Sequence, residues 1–297
     1  MTKPIRLRTT LSATTILAAG LMLAAAPAGA QSLPDTGNVT SVTSGLSGGA
    51  PGSTNPGFTT NGAPGAQTLR VDLKDNRTIL NWGGSGFDIA AGNTVDFKDA
   101  RATSGVTGRT DNIAVLNRDL SGVTSFVHGT ITSDPNVAVY LVNSGGIIFG
   151  GSAVVNTGSF WASTLDVTDA DFLDGDHRLS FSTAVGQDIS LNSGARITTA
   201  TNAGTTGDRM GDIVFVSNTI RMLGANATSL TAQGGDIALV AGRDIVVQHA
   251  PGSPLSLVVN RGSAHTFTDS QIKGKIDATG RNITIAAINA GASNLFA

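Results

Sequence analysis

A strand-like motif recurs along this chain at a constant spacing. Three segments share the pattern Asp-Ile-x-φ, where φ is apolar, and their aspartates are Asp188, Asp212 and Asp236. Counting back from Ile189 by the same interval reaches Leu165 and then Leu141, and a step one position longer reaches Leu116. A fixed period in the range of about 20 to 50 residues is typical of solenoids, whose repeats pack only on their neighbours.

A repeat of this length that contains only strands and turns matches one coil of a β-helix. At about 3.3 Å per residue, three strands and three corners use up one coil, and the next coil lies about 4.8 Å away, hydrogen-bonded in parallel. A β-sandwich would instead show hairpin spacings of about 8 to 12 residues. The sequence therefore predicts an all-β fold, a right-handed parallel β-helix with three sides and about 24 residues per coil.

Equivalent apolar residues of successive coils should stack into an internal column. We predict one such column from Leu116, Leu141, Leu165, Ile189, Ile213 and Ile237. Ile283 follows Ile237 after nearly two periods. No cap is evident after it, and we expect either a longer natural chain or a short member of a longer class.

The N-terminal segment 1–30 predicts a cleaved signal peptide. Basic residues precede an uncharged and largely apolar stretch from Leu11 to Ala26, and Ala28-Gly29-Ala30 gives a small-x-small cleavage pattern. The apolar stretch is short and rich in Ala and Thr, which disfavours a membrane anchor. We therefore expect an exported protein.

Residues 31–66 are rich in Gly, Pro, Ser, Thr and Asn and contain few large apolar groups. Such a segment buries too little apolar surface to order most of its backbone. We expect it to be largely loose, with a short edge strand at Val39 to Val42. An N-terminal cap drawn from residues 31–80 should protect the first coil, with Trp82 and Phe87 as the bulkiest groups available.

Seven stretches in the first half of the chain match one known family in order and spacing. They are Asn81-Trp82, Phe87–Gly92, Ala114–Arg118, Gly129–Ile131, Val139–Asn143, Gly146–Gly150 and Ala162–Leu173. In these stretches the chain resembles the N-terminal two-partner secretion domain of filamentous haemagglutinin-type exoproteins, and a looser likeness covers about residues 68 to 250. The resemblance makes residues 67–297 the β-helix secretion domain.

The resemblance implies a capped right-handed β-helix with no catalytic activity. It implies a partner, an outer-membrane barrel transporter with periplasmic peptide-binding repeats, through which the chain passes before it folds outside. It also implies a secreted or cell-surface adhesin, haemagglutinin or cytolysin that contacts a host or cell-surface glycan or protein. The absence of Cys fits a chain that stays unfolded in the periplasm, because an early disulfide would lock a loop.

Partner recognition is predicted at corner residues within the matched stretches. The candidates are Asn117, Asn143, Gly145, Gly146 and Asn156. Where the family has Asn-Pro-Asn-Gly after the Val-Asn strand, this chain has Asn143-Ser144-Gly145-Gly146. The turn can still form because Gly tolerates any backbone angle, but it should be less rigid.

Two acidic patterns offer alternatives. The run from Asp166 to Asp176 could bind Ca²⁺, but we expect its carboxylates to cap turn amides. Asp188, Asp212 and Asp236 could form a carboxylate column, either solvated or cation-binding, or the active site of a polysaccharide-degrading enzyme. A passive surface structural protein is the third class.

Composition excludes several further functions. The net charge of −2 offers no attraction to nucleic acid. Four scattered His residues and no Cys give no zinc-ligand spacing, so we expect neither a metal nor a cofactor.

Overall fold

The computed structural model describes residues 33–43, 56–101, 112–182, 187–200, 210–224, 227–249, 254–261, 271–279 and 281–287. The predicted signal peptide, much of the segment up to residue 66 and His265 lie outside these ranges. No helix in the described part of the chain is long and apolar enough to cross a membrane.

The described ranges consist mainly of short strands. In the first three coils and their cap these are β1 Val39–Thr43, β2 Gly57–Asn61, β3 Thr68–Leu73, β4 Arg77–Trp82, β5 Thr94–Asp99, β6 Ile113–Asp119, β7 Ser125–Val127, β8 Thr130–Ser133, β9 Val137–Val142 and β10 Ile147–Phe149. The later strands are β11 Val154–Thr157, β12 Ser159–Ser163, β13 Arg178–Ser182, β14 Asp188–Leu191, β15 Arg196–Thr199, β16 Ile213–Ser217, β17 Thr219–Met222, β18 Ser229–Gln233, β19 Ile237–Ala241, β20 Asp244–Gln248, β21 Ser256–Arg261, β22 Gln271–Ile272, β23 Lys275–Thr279 and β24 Ile283–Ala287. A 3₁₀ turn covers Thr36–Asn38, and the helix α1 covers Asp169–Leu173.

Three sheets wind around one axis. Sheet A has the order β1-β4-β6-β9-β12-β16-β19-β24, sheet B β2-β3-β5-β8-β11-β15-β18-β23, and sheet C β22-β17-β14-β10-β7. Apart from β1 and β2, neighbouring strands in these sheets pair in parallel. The coils from β5 to β22 run from sheet B through sheet A to sheet C, so the predicted three-sided parallel β-helix is confirmed.

A fourth sheet lies outside the helix. The strands β13, β20 and β21 form this antiparallel sheet D, and β13 and α1 belong to an excursion that leaves the coil after β12. Sheet D and α1 cover the outer face of sheet A. This cover explains why β6, β9, β12, β16 and β19 are buried on both faces and read as continuous apolar runs, whereas β5 and β14 alternate.

The inside of the helix is filled by stacked apolar side chains. Phe149 from sheet C meets Phe160 and Phe215 from sheet A, with ring centroids 5.8 and 6.2 Å away, and all three rings are fully buried. A second apolar cluster, between sheet A and its outer cover, includes Tyr140 and Trp161, whose centroids are 5.1 Å apart.

The first coil carries the predicted N-terminal cap. β1 pairs antiparallel with β4, and β2 pairs antiparallel with β3, so both strand edges of this coil are occupied. Inside the coil, Phe58 packs edge-on against Trp82, which packs edge-on against Phe87, at centroid distances of 5.9 and 5.4 Å. The indole and Phe87 are fully buried and close the end of the core.

The predicted apolar column is wrong in most of its members. Only Ile213 and Ile237 are register partners. Leu116 pairs with Tyr140 instead of Leu141, which places Leu116 on the outer face of sheet A, and Ile189 lies in sheet C beside Ile147 and Ile220.

The reason is that coil length is not constant. Val139 pairs with Phe160 after a short step along the chain, whereas the step from Phe160 to its partner Ile213 is more than twice as long, because α1 and β13 are inserted there. Ile237 pairs directly with Ile283, so that interval is one coil with the β20–β21 insertion and not two periods. The pattern of three strands per coil stays constant, and inserted residues leave the coil at its corners.

Truncation of Phe160 tests the packed interior. Phe160→Ala should lower the free energy of unfolding by about 3 to 5 kcal/mol, because the neighbouring aromatic rings cannot collapse into the space. Val258→Ala is the control, since Val258 is 53% exposed on sheet D, and it should cost less than about 0.5 kcal/mol. Urea denaturation followed by circular dichroism measures both. Equal losses would contradict the assignment of Phe160 to the core.

Candidate recognition corner

A buried carboxylate organises the corner between sheets A and C in the second and third coils. Asp119, the last residue of β6, is 5% exposed. Its oxygens accept hydrogen bonds from the backbone N–H of Phe87 and Ser121, both at 2.9 Å, from the hydroxyl of Ser125 at 2.5 Å and from Nδ2 of Asn143 at 3.2 Å. Asp119 therefore ties three successive coils together at this corner.

Asn143 is the second hub of the corner. Its Nδ2 also donates to the carbonyl oxygen of Val123 and to the hydroxyl of Ser125, both at 2.8 Å, and its Oδ1 accepts from the N–H of Gly145 at 2.7 Å. The side chain is 1% exposed. Because its amide is fully engaged inside the domain, Asn143 positions the corner.

Gly145 and Gly146 make the expected turn. The N–H of Gly146 donates to the carbonyl of Asn143 at 3.1 Å, and Gly146 has a φ of +105°, a conformation that favours glycine. A Cβ at Gly145 would lie 2.7 Å from the carbonyl oxygen of Val123. The close approach of these backbones therefore requires glycine at position 145.

This corner presents two apolar side chains to solvent. Leu120 is 60% exposed and Val123 is 59% exposed, in the loop between β6 and β7. The loop is held from both sides, because Asp119 binds its start, Asn143 binds the Val123 carbonyl, and the hydroxyl of Thr124 donates to the carbonyl of Gly145 at 2.8 Å. Leu120 and Val123 therefore form a small apolar surface, and contiguous exposed apolar surface is typical of interaction sites.

A second carboxylate, that of Asp88, lies near Asp119. Asp88 is 6% exposed, and its Oδ1 accepts from the N–H of Phe126 at 2.6 Å. Burial raises the pKa of Asp88 from 3.8 to about 6, and the nearby charge of Asp119 acts in the same direction, although the hydrogen bond from Phe126 lowers it.

The structure does not bring the five predicted recognition residues together. Asn143, Gly145 and Gly146 share the corner described above. Asn117 lies within β6, where its Oδ1 accepts from the indole N–H of Trp82 and its Nδ2 donates to the carbonyl of Tyr140, both at 3.1 Å. Asn156 is exposed within β11, between Thr132 and Thr198. The corner assignment is therefore wrong for Asn117 and Asn156, which sit mid-strand.

Carboxylates of the acidic run cap backbone amides, as the sequence predicts. Asp171 accepts from the N–H of Ser180, Asp174 from that of Asp176, and Asp176 from that of Arg178, at 2.6 to 3.1 Å. Asp166 accepts from the N–H of Val167 at 2.9 Å, and both Asp166 and Asp169 accept from the guanidinium of Arg118, at 2.9 and 2.7 Å. Among the described residues no group of three or more His, Asp or Glu side chains has a geometry that could hold a metal ion.

The predicted carboxylate column does not form. Asp188 belongs to sheet C and pairs with Arg221, whereas Asp212 and Asp236 precede neighbouring strands of sheet A. The latter two are 0% and 2% exposed, not solvated. Asp212 accepts from the N–H of Asp236 at 2.7 Å, and Asp236 accepts from the N–H groups of Leu255 and Asn282 at 2.9 and 3.0 Å. These carboxylates are used to hold backbone at coil corners.

Sequence reasoning missed Asp119, Arg118, Leu120 and Val123. Arg118 lay at the end of one matched stretch, directly before Asp119, and this position was the available signal. Their partners in other coils are far away along the chain. Contacts between coils follow from the register of the strands, and counting residues along the sequence does not give that register.

Replacing the buried carboxyl of Asp88 should make stability depend less on pH. In the unfolded chain its pKa is near 3.8 and in the folded domain about 6, so the folded state binds the proton more tightly. The stabilisation is complete below 3.8 and lost as pH rises through 6. Asp88→Asn keeps the acceptor for Phe126, and its stability relative to wild type should rise by roughly 1 to 3 kcal/mol between about pH 4 and pH 7.5. Urea titrations at both pH values measure it, and an unchanged difference would contradict the shifted pKa.

Comparison with solved structures gives the same fold. The HMW1 secretion domain from Haemophilus influenzae is 21% identical to this chain, with a TM-score of 0.52, and the match covers 78% of this chain and 54% of that one. The chain thus spans about half the length of that structure, and the likeness shows the fold alone. No curated protein sequence matches this chain.

The sequence also matches a family model. The model describes a TPS secretion domain, where TPS stands for two-partner secretion, and the match extends over residues 55–266. That range contains β2 to β21, with the candidate recognition corner, α1 and sheet D. This chain therefore belongs to the TPS secretion domain family.

Proposed function

We propose that this chain is the secretion region of a two-partner exoprotein, exported through an outer-membrane barrel transporter. The single observation that supports the proposal best is the family match over residues 55–266. In this proposal residues 1–30 are a signal peptide, residues 31–66 precede and help to cap the helix, and residues 67–297 form the secretion domain. The chain crosses the periplasm and folds outside, where it is secreted or retained at the cell surface.

We further propose that the exoprotein acts as an adhesin or haemagglutinin and not as an enzyme. The enzymatic alternative depended on a carboxylate column of Asp188, Asp212 and Asp236. Asp212 and Asp236 are buried and accept hydrogen bonds from backbone amides, so they offer no carboxylate pair to a polysaccharide. A host or cell-surface glycan or protein is the proposed target of the exported molecule.

Within this function, the recognition corner is the proposed contact for the transporter, made outside the cell as the first coils fold at the exit of the barrel. Leu120 and Val123 supply exposed apolar contact area, and Asn143, Gly145 and Asp119 hold their loop in place. Asn117 and Asn156 act on recognition only through the fold or through a separate surface, since one is buried in the core and the other faces solvent on sheet B.

Export of variants tests the proposed contact. Leu120→Ser combined with Val123→Ser should reduce extracellular protein at least about tenfold when the partner transporter is coexpressed, because contact area is lost while the fold is kept. Quantitative immunoblots of medium and cells give the export ratio. Asn143→Asp should also reduce export, since it puts a second carboxylate beside Asp119.

Val258→Ser is the matched control, because it removes a similarly exposed apolar group from sheet D. Circular dichroism of the refolded proteins checks that the serine variants retain the fold. Export of the double serine variant equal to that of Val258→Ser would contradict the proposed contact. Export that persists without the transporter would contradict the two-partner route itself and favour a passive surface protein.

A further inference from the structure

Hydrogen bonding within the three coil sheets connects each coil only to its neighbours. In sheets A, B and C the strands pair with the equivalent strands of the coils before and after them. A solenoid built in this way behaves as a one-dimensional array whose coils can open separately from either end. Any contact that joins distant coils therefore has a large effect on how the domain unfolds.

One excursion makes such contacts. Residues 164–182, which we call the strap, contain α1 and β13 and leave the helix in the fourth coil. α1 packs against β4 of the first coil, and β13 pairs antiparallel with β20, which follows β19 within the sixth coil. The strap therefore lies along the outer face of sheet A from the first coil to the sixth.

Arg118, in the second coil, joins the strap to this face. Its guanidinium donates to Asp166, Asp169 and the carbonyl of Val167 in the strap, at 2.9, 2.7 and 2.6 Å, and to Asn81 of the first coil at 3.0 Å. Four hydrogen bonds use most of the donors of a guanidinium. Arg118 is 9% exposed, so its charge depends on the strap carboxylates for compensation.

Arg77, in the first coil, makes a second connection. Its Nη1 donates to the carbonyl of Phe172 at 2.8 Å, and its guanidinium lies 5.5 Å from the centre of that ring. Phe172 is fully buried and packs edge-on against Tyr140 at 5.3 Å. This connection joins residues 95 positions apart in the sequence.

We infer that the strap couples the first coils to the last and makes the domain unfold as one cooperative unit, with Arg118 as the coupling residue. The inference concerns the folded domain and does not rest on the proposed export function. Loss of Arg118 should loosen α1 on the first two coils, because only the Arg77 connection then remains, while β13 stays paired with β20. The first coils are then covered less firmly than the later coils.

Hydrogen exchange of the full chain tests this inference. In the wild type, the most protected amides of β3 and β4 and those of β16 and β19 should exchange with equal protection, as expected for one global opening. In Arg118→Met the protection of β3 and β4 should fall at least about tenfold below that of β16 and β19. Mass spectrometry of peptic peptides resolves the two groups.

Arg70→Met is the matched control. Arg70 is an arginine of the first coil, is 49% exposed and pairs with Asp72 within its own strand, so its loss should leave the two groups equal. If Arg118→Met does not fold, Asp169→Asn provides the milder test, since that carboxylate is 46% exposed and carries one of the strap contacts. The inference would be overturned if β3 and β4 were as protected as β16 and β19 in the strap variant that folds. Unequal protection of these two groups in the wild type would also overturn it.

Discussion

The structure depends on in-register parallel hydrogen bonding between successive coils. This pairing places each residue of a strand over one residue of the next coil, so inward side chains must stack and outward side chains must form continuous faces. A coil can gain residues only at its corners, where they leave the helix. The α1–β13 strap and the β20–β21 hairpin are such insertions, and both return to cover sheet A.

The fold class could be predicted from the sequence, but the column of stacked residues could not. Asp212 and Asp236 precede strands that are neighbours, and Ile213 does stack on Ile237, so the period had a physical basis. Leu165 and Ile189 satisfied the same arithmetic without stacking, because Leu165 belongs to the strap and Ile189 to sheet C. A count of residues does not distinguish a coil from an insertion of similar length.

A shift of one residue also decides which face a side chain occupies. Leu116 was predicted inside, yet it lies on the outer face of sheet A, and the adjacent Asn117 points inward to Trp82. A polar residue at an inward position is acceptable here because the indole N–H and a carbonyl satisfy its amide. No alternation of apolar residues indicates this, since every residue of β6 is buried.

Only the part of the candidate site that lies within one turn could be predicted from the sequence. Asn143 and its two glycines were identified from their turn residues, whose chemistry is local. Asp119, which the structure places at the centre of the corner, acts through groups from three coils and carries no local signature.

Disulfide cross-linking tests the register on which this account depends, and the absence of native Cys makes it unambiguous. Asn156 and Thr198 are register partners in adjacent coils of sheet B, whereas Ser180, which a constant period would place beside Asn156, lies in sheet D. A chain with Asn156→Cys and Thr198→Cys should form an intramolecular disulfide on mild oxidation of the folded domain, and a chain with Asn156→Cys and Ser180→Cys should not. The reverse result would contradict the coil register, and with it the architecture.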